Sequence, residues 1–400
     1  MLMVKAGVGE HEATIILMSD DKTPLTLHKH YLRIDAVRWF VNQEAGWFTD
    51  KIVTGTLSIK IEPGESYNVT LGVYELKGGA KIAPVFGRTV LPARAFRGGP
   101  ITVQAVISGV AESNGVGKVL QGVADAALGV VGTMVQTATL TGPSKVLGEA
   151  GGALVGGVRD LLNAQGNSLR LFDPKTGIDK TIQPTDFRGP RMYLLLHRGT
   201  KLEPNKLAIT GEEGAEVLFY EDRELEDGVW LLLRFQRLTE YPVEPSWLPK
   251  FRGWIQSVRH LADSWEDNLL TQKAARAKLT GGGEGSESVY DVYRDLTAVI
   301  LSDGLLTAAE SGSYLAALRA VWRLAIKLVD RGERAEFDNA MTRLGGGSIA
   351  DAEIRTAVAK ALLEAERAHG AAPDVTKVAT GDAEPLLIAD YPRLQSALNQ

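Results

Sequence analysis

Two histidines flank a lysine at His28, Lys29 and His30. On a strand, alternate residues face the same way, so His28 and His30 would present two imidazoles at a spacing that suits zinc. His11, Asp20 and Asp21 are the nearby residues able to complete such a site. The chain has no HExxH pattern and no Cys. That removes thiolate ligands, disulfides and a thiol nucleophile together. Surface or hydrogen-bonded histidines are the plainer expectation here, as for the isolated His197, His260 and His369. No metal and no cofactor are expected.

Other chemistry is equally thin. Gly115-Val116-Gly117-Lys118 and the turn Gly142-Pro143-Ser144-Lys145 can hold an anion on free backbone N–H groups. Neither has the GxxxxGK[ST] spacing of a phosphate loop, and Gly7-Val8-Gly9 lacks the spacing of a dinucleotide fingerprint. No GxSxG nucleophile elbow occurs. Carboxylates are numerous, but no spacing singles out an acid–base pair, so no catalytic residue is assigned. In LSDGLLTAAES, Asp303-Gly304 is followed by Glu310. This short segment is similar to the Asp-Gly turn and later acid of helical domains of the tellurite-resistance type. A capping box accounts for the same residues, with Thr307 as N-cap and Glu310 at the third helical position.

Arg252, Arg259, Lys273, Arg276 and Lys278 make the first C-terminal helix basic, with Trp254 and Trp265 on its other side. Such a face is ordinarily solvated; the sharper expectation is an anionic partner or membrane surface. The net charge of −5 gives no overall field to attract nucleic acid.

The elements that would position these residues are clearer. Residues 1–110 alternate apolar and polar, as in IVTGTLSIKI, YNVTLGVYEL and ITVQAVI, which predicts half-buried antiparallel strands. Residues 168–240 return to strands in SLRLF, RMYLLLH, KLAIT, EVLFY and GVWLLLRFQ. Between them, residues 115–163 switch to helical period. Val130 and Met134 lie on one apolar stripe and Leu154 on another, with Thr141-Gly142-Pro143 breaking between. Gly148, Gly152 and Gly156 recur every fourth residue, a close-packing pattern. No Asp, Glu, Lys or Arg occurs from Ala126 to Ser144. As a helix that stretch would span roughly 28 Å, near bilayer thickness, but Gln136, its threonines and Pro143 argue against a permanent span.

The expected fold is α+β. An antiparallel β-sandwich-like unit over 1–240 carries the Gly/Ala-rich hairpin. A stiff linker over 241–248, a helical bundle over 249–370 and a loosely packed tail over 371–400 follow. Helices are expected near 288–302, 307–330, 334–344 and 349–369. Glu10 and Glu12 precede the first apolar run, unlike a secretory leader, so the expected location is cytoplasmic. The function expected is non-enzymatic, a scaffold or adaptor that binds protein partners or a second copy of itself. The alternatives are a membrane-active effector that inserts the hairpin, and a hydrolase whose metal or acidic site forms only in three dimensions.

Overall fold

The computed structural model describes residues 3–6, 11–17, 21, 23–41, 51–62, 65–76, 85–111, 169–172, 179–199, 201–266, 271–281, 288–346, 348–349, 351–371 and 390–399. The architecture is mixed α+β with antiparallel pairing, in two compact units. Unit 1 takes Met1–Thr26, Leu32–Pro92 and Gly98–Arg237. Unit 2 takes Leu27–Tyr31, Ala93–Arg97 and Leu238–Gln400.

Six strands form one sheet in the order β1-β2-β10-β14-β3-β6. They are β1 (Met3–Ala6), β2 (His11–Leu17), β3 (Tyr31–Val41), β6 (Val85–Ala95), β10 (Arg191–Arg198) and β14 (Val229–Leu238). A second sheet runs β5-β4-β7-β8, with β9 also pairing β7. Its strands are β4 (Lys51–Ile61), β5 (Glu65–Leu76), β7 (Ile101–Ala111), β8 (Leu169–Phe172) and β9 (Asp179–Ile182). The third is the small sheet β11 (Leu207–Thr210), β12 (Val217–Tyr220) and β13 (Arg223–Glu224).

Alternation sets the register of the second sheet. Leu57, Ile59 and Ile61 are buried while Lys60 is exposed. They stand opposite Ala105, Val103 and Ile101. A slip of one residue would turn every one of these side chains to the wrong face. β10 and β14 read differently because both faces are covered: Met192–His197 and Val229–Gln236 are buried throughout. One cover is the small sheet, whose Leu207, Ile209 and Leu218 join Leu195, Trp230 and Leu232 in one cluster.

Strands after residue 168 return to both larger sheets, β10 and β14 beside β2 and β3, β8 and β9 beside β7. The expected hairpin over 115–163 lies outside the described residues. So do Val130, Met134, Gly148, Leu154, Gly152 and Gly156.

The described residues of unit 2 form seven helices: α1 (Leu248–Glu266), α2 (Gln272–Thr280), α3 (Val289–Ser302), α4 (Ala308–Arg331), α5 (Arg334–Gly345), α6 (Ala352–Ala368) and α7 (Pro392–Asn399). Their ends carry ordinary capping signals. Ser288 and Asp291 form a capping box, Thr271 and Thr307 cap α2 and α4, and Gly281 and Gly332 close helices in the left-handed region. α4 is the central element, buried almost all round over its first half. Such a helix needs partners on every side. Gly312 lets α6 approach, since a Cβ there would stand 2.9 Å from Leu362 Cδ2 and 3.4 Å from Ala365 Cβ.

Three expectations need correction. The basic stretch is two helices, with Arg252 and Arg259 on α1 and Lys273, Arg276 and Lys278 on α2. The tail is not loose over residues 390–399. Tyr391, Leu394, Ala397 and Leu398 are buried in the helical core, because a short amphipathic helix there has an apolar face to hide. The segment expected as a linker is fastened: the Arg393 guanidinium donates to the carbonyls of Tyr241 (2.7 Å), Pro242 (3.0 Å) and Val243 (3.0 Å). Among the described residues, no helix is long and apolar enough to cross a membrane.

Candidate functional site

Glu310 is a buried acid of unit 2 whose proton affinity is strongly shifted. Its position, three residues after the N-cap Thr307, makes it a candidate for the reciprocal half of a capping box. Only one half forms. Thr307 Oγ1 accepts the Glu310 amide at 3.1 Å. The Thr307 amide donates to the Tyr31 hydroxyl at 2.8 Å, not to the Glu310 carboxylate. The Tyr31 hydroxyl in turn donates a hydrogen bond to Glu310 Oε2 at 2.5 Å, and the Tyr241 amide donates to the same oxygen at 3.2 Å. Glu310 Oε1 has no hydrogen-bond partner among the described residues.

Burial is the main reason that Glu310 titrates near pH 7, raised from 4.5. The bonds from Tyr31 and Tyr241 and the charge of Arg393 act the other way, while Glu240 adds to the rise. Burial and the neighbouring carboxylate also push up the Tyr31, Tyr314 and Tyr391 hydroxyls. With Glu310 fully enclosed, this cluster has no room for a substrate. What it does is tie the start of β3, the segment around Tyr241 and the N-terminus of α4 together inside unit 2.

Unit 1 has its own buried charge centre. Arg234, 2% exposed, donates to Asp35 Oδ2 at 2.9 Å and to Glu216 Oε1. Asp35 also takes Arg33 Nε at 3.0 Å and Thr89 Oγ1 at 2.8 Å. Glu216 takes the Gly214 amide at 2.8 Å and the Tyr193 hydroxyl at 3.2 Å. Both carboxylates have several donors, the condition under which a buried pair is tolerated. These donors draw β3, β6, β10, β14 and the segment before β12 together.

Among the described residues of unit 2 is an open groove of about 340 Å³ between α4, α5, residues 348–349 and the start of α6. Leu324, Leu328, Phe337, Leu344 and Ile354, buried in the helical core, and the half-buried Ile349 form its floor. Arg331, Glu333, Glu336 and Arg343 stand along it and are exposed. Lys327 and Asp351 line it as an ion pair. An apolar floor with a charged rim is the composition of a binding surface.

The residues singled out in the sequence are not gathered at either place. Leu27–Lys29 form a turn, with His28 at φ +57, so the strand geometry that would align His28 and His30 does not apply. The His28 amide donates to Phe96 O, its carbonyl accepts from Ala309, and the His30 carbonyl accepts from Phe96. Burial and Arg97 hold the His28 imidazole below its usual range. Among the described residues, no group of three or more His, Cys, Asp or Glu is placed to hold a metal ion. Of the basic residues, Arg252 pairs with Glu244 at 3.0 Å, Arg276 with Asp330 at 3.3 Å, and Arg259 donates to Leu398 O at 2.8 Å. Lys273 is exposed.

Trp254 is buried in the helical core and Trp322 packs half-buried against it; their indole N–H groups reach the carbonyls of Val289 and Leu279. Sequence reading missed the role of Tyr31, which lies 279 positions from Glu310; no local spacing signals such a pair. The groove was legible only as apolar positions on helices. No protein-family model, no curated protein and no solved structure matches the chain.

Proposed function

We propose that the protein is a non-enzymatic interaction module, a scaffold or adaptor in a cytoplasmic assembly, and that a protein partner docks in the groove of unit 2. The observation that carries this is the groove itself, lined by apolar residues at its floor and by polar and charged residues in equal measure around them. Supporting it, the most strongly buried acids, Glu310, Asp35 and Glu216, are engaged by donors of the same chain. In this reading the larger sheets of unit 1 make a sandwich-like body, and residues 115–163 form a helical hairpin. Gly148, Gly152 and Gly156 are its seam for close packing.

The test places an arginine in the groove. Ala340 lines it and is half-buried, so Ala340→Arg fills the space from one edge. The full chain and the variant are cross-linked in their own cells, isolated, and compared by mass spectrometry. A partner cross-linked to groove residues in the full chain and lost in the variant is expected. Recovery of the same partners at the same level by both would overturn the assignment of the groove. Liposome flotation addresses the alternative: no binding to anionic vesicles is expected from the resting protein, and dye release at physiological salt would favour a membrane effector.

A further inference from the structure

Three pieces of chain meet at Glu310, and they are not fastened to it alike. Tyr31, at the start of β3, and the Tyr241 amide both donate to Glu310 Oε2, at 2.5 Å and 3.2 Å. The third piece, α7 with Tyr391 just before it, gives neither carboxylate oxygen a hydrogen bond. It stands close all the same. The charge of Glu310 helps to raise the Tyr391 hydroxyl, and Arg393 acts on Glu310 through its own charge. Tyr391, Leu394, Ala397 and Leu398 are buried in the helical core, so α7 is part of the cover that keeps water from this acid. Its own fastenings lie elsewhere. Besides the carbonyls of residues 241–243, the Arg393 amide donates to Glu240 Oε1 at 3.1 Å and Arg259 donates to Leu398 O at 2.8 Å.

The charge on Glu310 decides which piece gives way. A neutral carboxyl tolerates a dry site and an ionised one does not. Ionisation strengthens the hydrogen bonds from Tyr31 and Tyr241, so those two pieces are gripped harder once the proton leaves. α7 has no such bond to gain. What it offers is the charge of Arg393, which acts on Glu310 more weakly than Tyr31, Tyr241 or Glu240 does, and the Arg393 guanidinium already pairs with Glu240 at 3.7 Å. Glu240 is half-buried, and its charge opposes that of Glu310. Two carboxylates thus share one guanidinium. The other groups of the cluster are tyrosines. Tyr31, Tyr241, Tyr314 and Tyr391 are all raised, burial being the main cause, and Asp303, Arg252 and Asp390 also act on them.

We propose that α7 is a proton-sensitive latch, seated while Glu310 is neutral and released when Glu310 is ionised, with Tyr31 and Tyr241 staying in place. Release admits water to Glu310 and uncovers the parts of α1 and α5 against which α7 packs. The sign follows from linkage. Glu310 titrates near 7 when enclosed and near 4.5 when hydrated, so its support for the seated state is full below about pH 4.5 and is lost as the pH rises through about 7. Between pH 6 and pH 8 these values allow release to rise by at most about tenfold.

Hydrogen exchange of the full chain, read by mass spectrometry as protection factors, tests the latch. Peptides covering α7 are expected to be less protected than those of α4 at both pH values, because α7 opens separately. Their protection is expected to fall severalfold, up to about tenfold, from pH 6 to pH 8. In Glu310→Gln the protection of α7 should no longer depend on pH. Should that variant misfold, Glu240→Gln keeps an acceptor for the Arg393 amide and removes the opposing charge, so the fall should move to lower pH. Equal protection of α7 and α4 would overturn the latch, since α7 would then open only with the whole unit. A pH-independent α7 in the unaltered chain, an unchanged fall in Glu310→Gln, or an unmoved fall in Glu240→Gln would overturn it as well.

Discussion

Glu310 sits where an acid ordinarily helps a helix, in the first turn of α4. Solvent exposure is what makes that position favourable, since an ionised carboxylate there interacts with free amides and the helix dipole at little desolvation cost. Here the side chain is fully buried, and the balance changes. A carboxyl that titrates near 7 in the folded chain and near 4.5 when exposed binds its proton more tightly in the folded state. Its contribution to stability is therefore fully present below about pH 4.5 and is lost as the pH rises through about 7. The difference is on the order of 3 kcal/mol. Glu310→Gln removes the titration and keeps the shape. The melting temperature of the full chain is expected to fall between pH 5 and pH 8 more steeply than that of the variant. Parallel pH profiles would show that Glu310 does not carry this dependence. The replacement also leaves Tyr31 an amide oxygen to donate to, so the Thr307 cap has a means to persist.

At the scale of elements, α4 and α6 meet on small residues. The Cβ built at Gly312 would stand 2.9 Å from the end of Leu362, a flexible side chain that can give slightly. Ala365 Cβ, 3.4 Å away, would meet it in ordinary van der Waals contact. Gly312→Ala therefore sets a gain in helix propensity of about 1 kcal/mol against a tight contact. Gly312→Val has no such offset, because a branched side chain must push α6 away. Denaturant unfolding is expected to show a loss on the order of 1–3 kcal/mol or more. An unchanged midpoint would mean the two helices readily separate at this point. The helices themselves were legible from period and caps: the expected 307–330 is Ala308–Arg331 and the expected 334–344 is Arg334–Gly345. The strands in IVTGTLSIKI and RMYLLLH were equally plain. What failed was whatever depends on distant chain. His28 and His30 lie in and beside a turn, closed by bonds to Phe96 and Ala309. α7 looks like a tail because only its burial among α1 and α5 residues makes it an element. The candidate site was the least legible part. Glu310 could be seen as a capping acid, but nothing nearby in sequence announces Tyr31, and the groove exists only once α4, α5 and α6 are packed.

At the scale of the whole molecule, a stiff Pro-containing segment between two periodicities invites cutting the chain at Pro245. The make-up of unit 2 argues for a different boundary. It includes Leu238–Pro245 as well as Leu27–Tyr31 and Ala93–Arg97. A fragment starting at Pro245 loses the Tyr31 hydroxyl and the Tyr241 amide, so Glu310 keeps neither donor to Oε2. It also loses the carbonyls of Tyr241, Pro242 and Val243 and the carboxylate of Glu240, which hold Arg393 on α7. A fragment starting at Leu238 restores everything but Tyr31 and the two short N-terminal segments. Both fragments retain nearly all of the helical core, whose members lie between Trp247 and Leu398, so both should be mainly helical by circular dichroism. The Leu238 fragment should melt higher, because α7 is fastened and a buried acid keeps one bond. Both should melt below the helical unit of the full chain, and more so at pH 8 than at pH 5, since the loss of donors falls hardest on ionised Glu310. Coincident melting of the two fragments would show that Arg393 and Tyr241 add nothing to the bundle, and would return the boundary to Pro245.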